Sequence, residues 1–306
     1  MLSPHFQPVD IDGYKFDKGM ILYEFIALRE PERTQFPQIG EWVKSRIPMN
    51  QIPTPQMYWQ GRLWPDMYIA NQLPRAFDVP NYGRLTDKRD WPDDFNLQEA
   101  SLLAHGKEFH ELFIEPMCRK ITGRGTADIA AKYNRAIWLP LYWPQTLRAG
   151  QSLPTPFWYP KAGYAGAILG DGETVHDRGE SAGKRKDGVA SFECTDISIT
   201  FVLAKPRTPF SVLFVVDDSP IYRITDMDVC AGVDTEWHRW VIESKKYDHV
   251  IPDTVRTFSD DIRFIGVEYM NMPLPTIANV RGGWKPRPHM NDQLWEVMQN
   301  ELSGSR

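Results

Sequence analysis

Residues 197–225 read ISITFVLAKPRTPFSVLFVVDDSPIYRIT. The runs 197–204, 210–216 and 221–225 are rich in β-branched and aromatic residues, which suit a pleated, half-buried surface. Turn chemistry such as Asp217-Asp218-Ser219-Pro220 separates them, so antiparallel neighbours are expected. The pattern resumes at 237–242 (WHRWVI) and 262–269 (IRFIGVEY). Residues 291–301, with Leu294, Trp295 and Met298 apolar, predict a closing helix. Working back towards the N-terminus, GDGETVHDRGESAGKRKDG at 170–188 is Gly-rich and charged, which reads as a flexible loop.

The first half has a different character. Asn96-Leu97-Gln98-Glu99 has capping-box spacing and opens a helix whose apolar stripe is Leu102, Phe109, Leu112 and Phe113. Pro116 is expected to end or kink it. Thr126 is expected to cap a second helix, Ala127 to Ile137, with Ile129, Tyr133 and Ile137 on one face. Residues 40–47 predict a short amphipathic helix through Trp42, Val43 and Ile47, ended before Pro48. Asp12-Gly13 between Val9, Ile11, Tyr14 and Phe16 predicts a hairpin. Residues 48–92 and 138–160 are dense in proline and aromatic rings. The class is α+β: a helical, loop-rich first half and a mostly antiparallel sheet. The expected organisation is a cleft-forming part (1–170), a flexible loop (171–190) and a β-rich part with a C-terminal helix (191–306), folded as one compact domain.

Composition narrows the function classes. The 306 residues carry 35 Lys+Arg against 40 Asp+Glu, a net charge of −5, which argues against nucleic acid or an anionic membrane as main partner. Three cysteines form no disulfide framework and fit a reducing cytosol. No signal peptide is evident at the start, and no apolar run approaches the roughly 20 residues that span a bilayer. Aromatic residues make up 12% of the chain, and their mixture with 25 prolines suggests ordered loops lining something.

Few motifs carry chemistry. A dinucleotide fingerprint needs G-x-G-x-x-G between strand and helix; Gly123-Arg124-Gly125-Thr126-Ala127-Asp128 comes nearest, but its last position is Asp128, and it reads as a linker between helices. Gly183-Lys184 is followed by Arg185, so it makes no P-loop. His105 and Glu108 lie one turn apart, in the reverse order of a di-iron Glu-x-x-His, and no metal site is expected. Cys118, Cys194 and Cys230 have no CxxC spacing. There is no G-x-S-x-G elbow. The remaining candidates are two clusters of rings and cations. One is Tyr58, Trp59, Arg62, Trp64 and Tyr68; the other is Trp138, Tyr142, Trp143, Trp158, Tyr159, Lys161 and Tyr164. Rings with polar tips beside Arg or Lys suit either core packing of the Pro-rich loops or a cleft for a flat ligand with an anionic group.

Taken in order, several segments resemble the FAD-dependent amine oxidase superfamily, which includes protoporphyrinogen oxidases and UDP-galactopyranose mutases. Asp10 to Gly19 (DIDGYKFDKG) resembles its G-x-x-F-D-x-G segment. Phe109 to Gly123 (FHELFIEPMCRKITG), with Thr126 to Ala130, is similar to a helical region of the family. Tyr159-Pro160-Lys161-Ala162-Gly163-Tyr164 resembles the YPKGG turn of its substrate cleft, and Tyr222 to Thr225 is similar to a later F-x-R strand. The departures fall on one side of that architecture: there is no strand–GxGxxG–helix unit, no His follows Gly19-Met20-Ile21, and Arg281-Gly282-Gly283 poorly replaces the flavin-contacting G-R turn.

The resemblance therefore implies the substrate domain of a flavin amine oxidase without a complete Rossmann domain, working as an oxidoreductase or mutase with FAD supplied by a partner chain. It implies a small polar or anionic substrate held by Tyr58, Trp59, Arg62, Tyr159, Lys161, Tyr164 and Arg223, with Gly19 and Met20 meeting the cofactor. One alternative is a non-catalytic ligand- or partner-binding protein of the same descent. Another is a flavin-independent enzyme using His105 or Glu108 as acid or base.

Overall fold

The computed structural model describes residues 8–18, 23–24, 36–64, 91–137, 157–163, 192–245, 251, 253–285 and 290–304. Strands β1 (Pro8–Ile11) and β2 (Tyr14–Asp17) form the expected hairpin. Its turn has positive φ at Asp12 and Gly13, as a two-residue hairpin turn requires. β3 (Tyr23–Glu24) is short, and α1 (Phe36–Lys44) begins four residues before the stretch foreseen as helical. Its buried face holds the expected Trp42 and Val43, with Ile47 just beyond its end. β4 (Met49–Ile52), β5 (Gln56–Trp59) and β6 (Arg62–Trp64) follow.

α2 (Leu97–Phe109) carries the predicted capping box: the Asn96 side chain accepts from the Glu99 amide at 2.8 Å and Glu99 returns to the Asn96 amide. Gly106, at φ 80°, kinks it. A π-turn at His110–Ile114 then joins it to α3 (Glu115–Thr122). Pro116 does not end the helix but sits in the first turn of α3, where its missing N–H costs little. The wider π-turn shifts the helical phase, and Leu112, expected in the apolar stripe, is 45% exposed.

The second helix expected from Thr126 is instead two 3₁₀ segments, Thr126–Asp128 and Ala131–Ile137. The reason is local. The Thr126 hydroxyl donates to Glu115 Oε2 and caps nothing, while Ile129 and Ala130 are pulled into isolated bridges with Thr276 and Asn96.

The strand runs of 197–269 form, but the first two, expected as antiparallel neighbours, are not adjacent: the strand at 238–245 pairs with the first, and only the runs at 212–215, 221–226 and 238–245 pair as consecutive neighbours. β7 (Phe157–Pro160), β8 (Cys194–Pro206), β9 (Val212–Val215), β10 (Ile221–Asp226), α4 (Met227–Ala231), β11 (His238–Lys245), α5 (Asp253–Arg256), β12 (Ser259–Pro273), α6 (Ile277–Arg281) and α7 (Met290–Leu302) follow in order. Seven strands make one sheet in the order β12-β8-β11-β10-β9-β5-β6, and β3-β7-β4 make a second. Every pairing is antiparallel except β5 with β9. The fold is thus mixed, with a mostly antiparallel sheet. Among the described residues no helix is long and apolar enough to cross a membrane.

Alternation along β8 and β11 divides the core. Val202, Ala204, Trp240 and Ile242 face one side with Phe210 and Val255. Ile199, Phe201, Leu203 and Val241 face the other, where the β1–β2 hairpin packs through Phe16, Val9 and Ile11. Gly266, at a bulge in β12, permits that docking, since a Cβ there would lie 2.8 Å from Ile11 Cδ1. The loop foreseen at 171–190 lies outside the described residues.

Candidate functional site

The hairpin positions the candidate site. Phe16 is fully buried and meets the Phe201 ring at 5.1 Å; burying such a side chain stabilises by about 2 kcal/mol. That anchor drives the next residue, Asp17, into the interior, where it is 3% exposed. Its amide donates to Met227 Sδ at 3.4 Å. Tyr159, on β7 and 142 residues away in sequence, donates its phenol O–H to Asp17 Oδ2. Gly163 closes the turn after β7 at φ +68°, and a Cβ there would lie 3.2 Å from the same carboxylate oxygen. Two of the segments that carry the resemblance, one ending near Asp17 and the other beginning at Tyr159, therefore meet at one buried hydrogen bond. Burial first, and then the Asp17 charge, push the Tyr159 phenol far up, so it keeps its proton.

A polar frame stands behind the junction. Asp226 caps α4: its Oδ1 accepts from the Asp228 and Val229 amides at 3.1 and 3.0 Å. Its Oδ2 accepts from Trp240 Nε1 at 2.9 Å and pairs with His238 Nδ1 at 2.7 Å. The hydrogen bond that His238 donates to Asp226 raises the His238 pKa, against burial. Asp228 accepts from the Arg239 amide and guanidinium, and Arg239 Nη1 reaches across to the Lys15 carbonyl at 2.8 Å, tying α4 to the hairpin. The Cys230 thiol, fully buried among these carboxylates, is pushed up by burial and held neutral. The arrangement can orient a turn and strand end rigidly, and it offers no activated nucleophile.

The other predicted site residues fall in separate places. Lys161 is exposed on the turn beside the junction, its amide donating to the Pro48 carbonyl at 2.9 Å. Tyr164, Gly19 and Met20 lie outside the described residues. Arg223 is buried, in a bidentate pair with Glu243. Trp59 is buried against Trp64 and Phe113. Tyr58 belongs to the opposite face of the large sheet and packs with its apolar cluster, whereas Arg62, paired across the hairpin with Trp59, stacks its guanidinium on Trp64. Asp17 was inside a quoted motif without a role of its own. Asp226, Asp228, His238 and Arg239 share no recognisable spacing, and an N-cap Asp before Met227 was the one available signal.

Gly123 to Asp128 can be tested as a phosphate cradle. Gly123 is the left-handed cap of α3, and the Cβ position of Gly125 lies 2.9 Å from Arg119 Nη2 and 3.2 Å from Glu115 Oε1. The space is taken by the Arg119–Glu115 ion pair, which also holds the Thr126 amide. Burial raises the Glu115 pKa, but the Thr126 and Arg119 bonds outweigh it and hold the carboxylate below its ordinary value. These residues do not fit a pyrophosphate.

No protein-family model matches the chain, and no curated protein matches its sequence. Among solved structures, that of reduced UDP-galactopyranose mutase aligns with 98% of this chain and 79% of its own, at TM-score 0.57 and 12% identity. The chain is similar to it in fold. The PF1083 protein from Pyrococcus furiosus aligns over 90% and 81%, at TM-score 0.51 and 9% identity. An oxidoreductase from Methanosarcina mazei covers 89% and 81%, at TM-score 0.49 and 10% identity. At these identities what the chain shares with the first two structures is the fold.

Proposed function

We propose that this chain is the substrate-side part of a flavin-dependent oxidoreductase or mutase, with FAD supplied by a partner chain. The observation that carries the reading is the Asp17–Tyr159 junction, which joins two separately recognised segments inside a mutase-like fold. In this reading Tyr159 holds the turn, Lys161 and Tyr164 face a small polar or anionic substrate, and Gly19 and Met20 are the chain's contribution next to the flavin. The flavin supplies the redox or adduct chemistry; the chain binds and orients.

The test is retention of flavin. The chain is purified alone with added FAD, and again after co-expression with each candidate dinucleotide-binding protein encoded beside it. A yellow complex that co-elutes only with a partner supports the reading; flavin retained by neither preparation overturns it. A non-catalytic binding protein is the second reading. It is favoured by Arg223, expected to hold substrate, being engaged by Glu243 in the interior.

A further inference from the structure

The large sheet ends on one side at β12, a 15-residue strand that pairs with β8 and, among the described residues, with no strand on its other side. An open edge is a row of backbone donors and acceptors, and proteins usually blunt one with lysine, proline or a covering segment. Between Ile262 and Met272 this edge has neither lysine nor proline. Its register against β8 sorts the side chains. Arg263, Gly266 and Glu268 stand opposite Leu203, Phe201 and Ile199, on the face where the β1–β2 hairpin packs. The charges are used there: Arg263 stacks on Trp237 at 3.8 Å, and Glu268 pairs with Lys18 at 2.7 Å. Phe264, Val267 and Tyr269 take the other face, where Phe264 is 52% and Tyr269 45% exposed.

This edge is self-complementary. Phe264, Val267 and Tyr269 lie opposite Val202, Thr200 and Ser198, which are evenly spaced along β8, because a bulge between Phe264 and Gly266 absorbs the extra residue. Val267 therefore sits midway between the two exposed rings. A second β12 laid antiparallel alongside, about a two-fold axis through Val267, sets Val267 against its own copy and Gly266 against Glu268. With Ile265 skipped in each copy, the next pair is Phe264 with Tyr269, formed once on either side of the axis. Beyond it come Arg263 with Met270, Ile262 with Asn271 and Asp261 with Met272. Each pair joins residues of the same face, as an antiparallel ladder requires, and no charge opposes a like charge.

We propose that β12 is a self-pairing edge, on which a second copy of this chain adds its own β12 and joins two seven-stranded sheets across a two-fold axis at Val267. A two-fold contact uses one patch on both copies, and the midway position of Val267 is what makes the patch match itself. Ladder hydrogen bonds and the two aromatic cross-strand pairs hold the copies together. The paired length, Ile262–Met272, spans about 35 Å at roughly 3.3 Å per residue. It is a narrow strip beside the roughly 1,200–2,000 Å² of stable interfaces, so the contact is reversible and fills as concentration rises. It does not rest on the flavin reading, since it uses neither Asp17 nor Tyr159 and is tested without cofactor.

The test is sedimentation velocity of the full chain from about 1 to 200 µM, a range that brackets a reversible contact. A monomer–dimer equilibrium is expected, and amide hydrogen exchange over residues 262–272 should slow as the dimer fills. Phe264→Lys removes the aromatic pair on both sides of the axis and should weaken the dimer about tenfold, as should Tyr269→Glu. Both substitutions together set opposite charges across each pair and should restore most of the affinity. Melting curves establish that the variants are folded; if one is not, the concentration dependence of exchange in the wild type decides by itself. A chain monomeric at every concentration, a dimer whose slowed amides lie outside β12, a dimer indifferent to Phe264→Lys, or a double variant as weak as the single ones would each overturn the proposal.

Discussion

Tyr159→Phe removes one oxygen from the junction and leaves the ring in place. Tyr159 and Asp17 are 2% and 3% exposed, so water cannot replace the lost donor without rearrangement. Ring volume is unchanged, so no cavity contributes. What remains is one hydrogen bond to a buried carboxylate, and bonds to charged groups contribute about 1.5–3 kcal/mol. Because Asp17 stays buried while losing a donor, the upper part of that range is expected, about 2–3 kcal/mol. In a chain of this size each kcal/mol moves the melting temperature by about 2 °C, giving a fall of about 4–6 °C. The assay is urea unfolding and thermal melting of wild type, Tyr159→Phe, Asp17→Asn and the double variant. A coupling energy above about 1 kcal/mol between the two positions is expected, as for residues in direct contact. A loss below about 0.5 kcal/mol for Tyr159→Phe, or strict additivity with Asp17→Asn, would refute the junction as an anchor.

Gly163→Ala places a Cβ 3.2 Å from Asp17 Oδ2 at a left-handed φ, and should destabilise by about 1–2 kcal/mol in the same unfolding assay. Arg223→Met leaves Glu243 buried without its partner and should cost about 3–5 kcal/mol, whereas Arg223→Met with Glu243→Leu should recover most of the loss; a mild single variant would mean that water reaches the pair. His238, paired with Asp226, has its folded pKa above the ordinary 6.5. Its contribution is therefore fully present below about pH 6.5 and is lost as pH rises through the folded value. Melting temperatures measured across that range should fall with pH in wild type more than in His238→Gln, and identical profiles would exclude the linkage.

Local signals survived where neighbouring residues alone decide the outcome. The Asn96–Glu99 box, the Asp12-Gly13 turn and the strand runs of 197–269 all formed as read, because each needs only a short-range hydrogen bond or an alternating apolar face. Local reading failed where a distant or bulkier partner intervened. Thr126 has a good capping residue's chemistry, but Glu115 claims its hydroxyl, and the helix expected after it becomes two 3₁₀ segments. Leu112 has the right spacing for the stripe, and the π-turn rotates it outwards.

The candidate site divides the same way. Motif order in the sequence was enough to see that the segments around Asp17 and Tyr159 resemble those of one family, and residue type was enough to nominate rings and cations as binding groups. Which of those groups share a cleft was not legible. Tyr58 and Trp59 are adjacent in sequence, yet strand alternation sends them to different clusters of the core. Arg223 looks like a free cation until β11 places Glu243 directly across from it. The sequence by itself determined the class of fold, the hairpin and the resemblance, since these depend on periodicity and on order along the chain. Only the tertiary structure decided that Asp17 meets Tyr159, that Arg223 pairs with Glu243 and that Arg62 stacks on Trp64, because strand register and sheet face set a side chain's partners, and neither can be read from its neighbours in sequence.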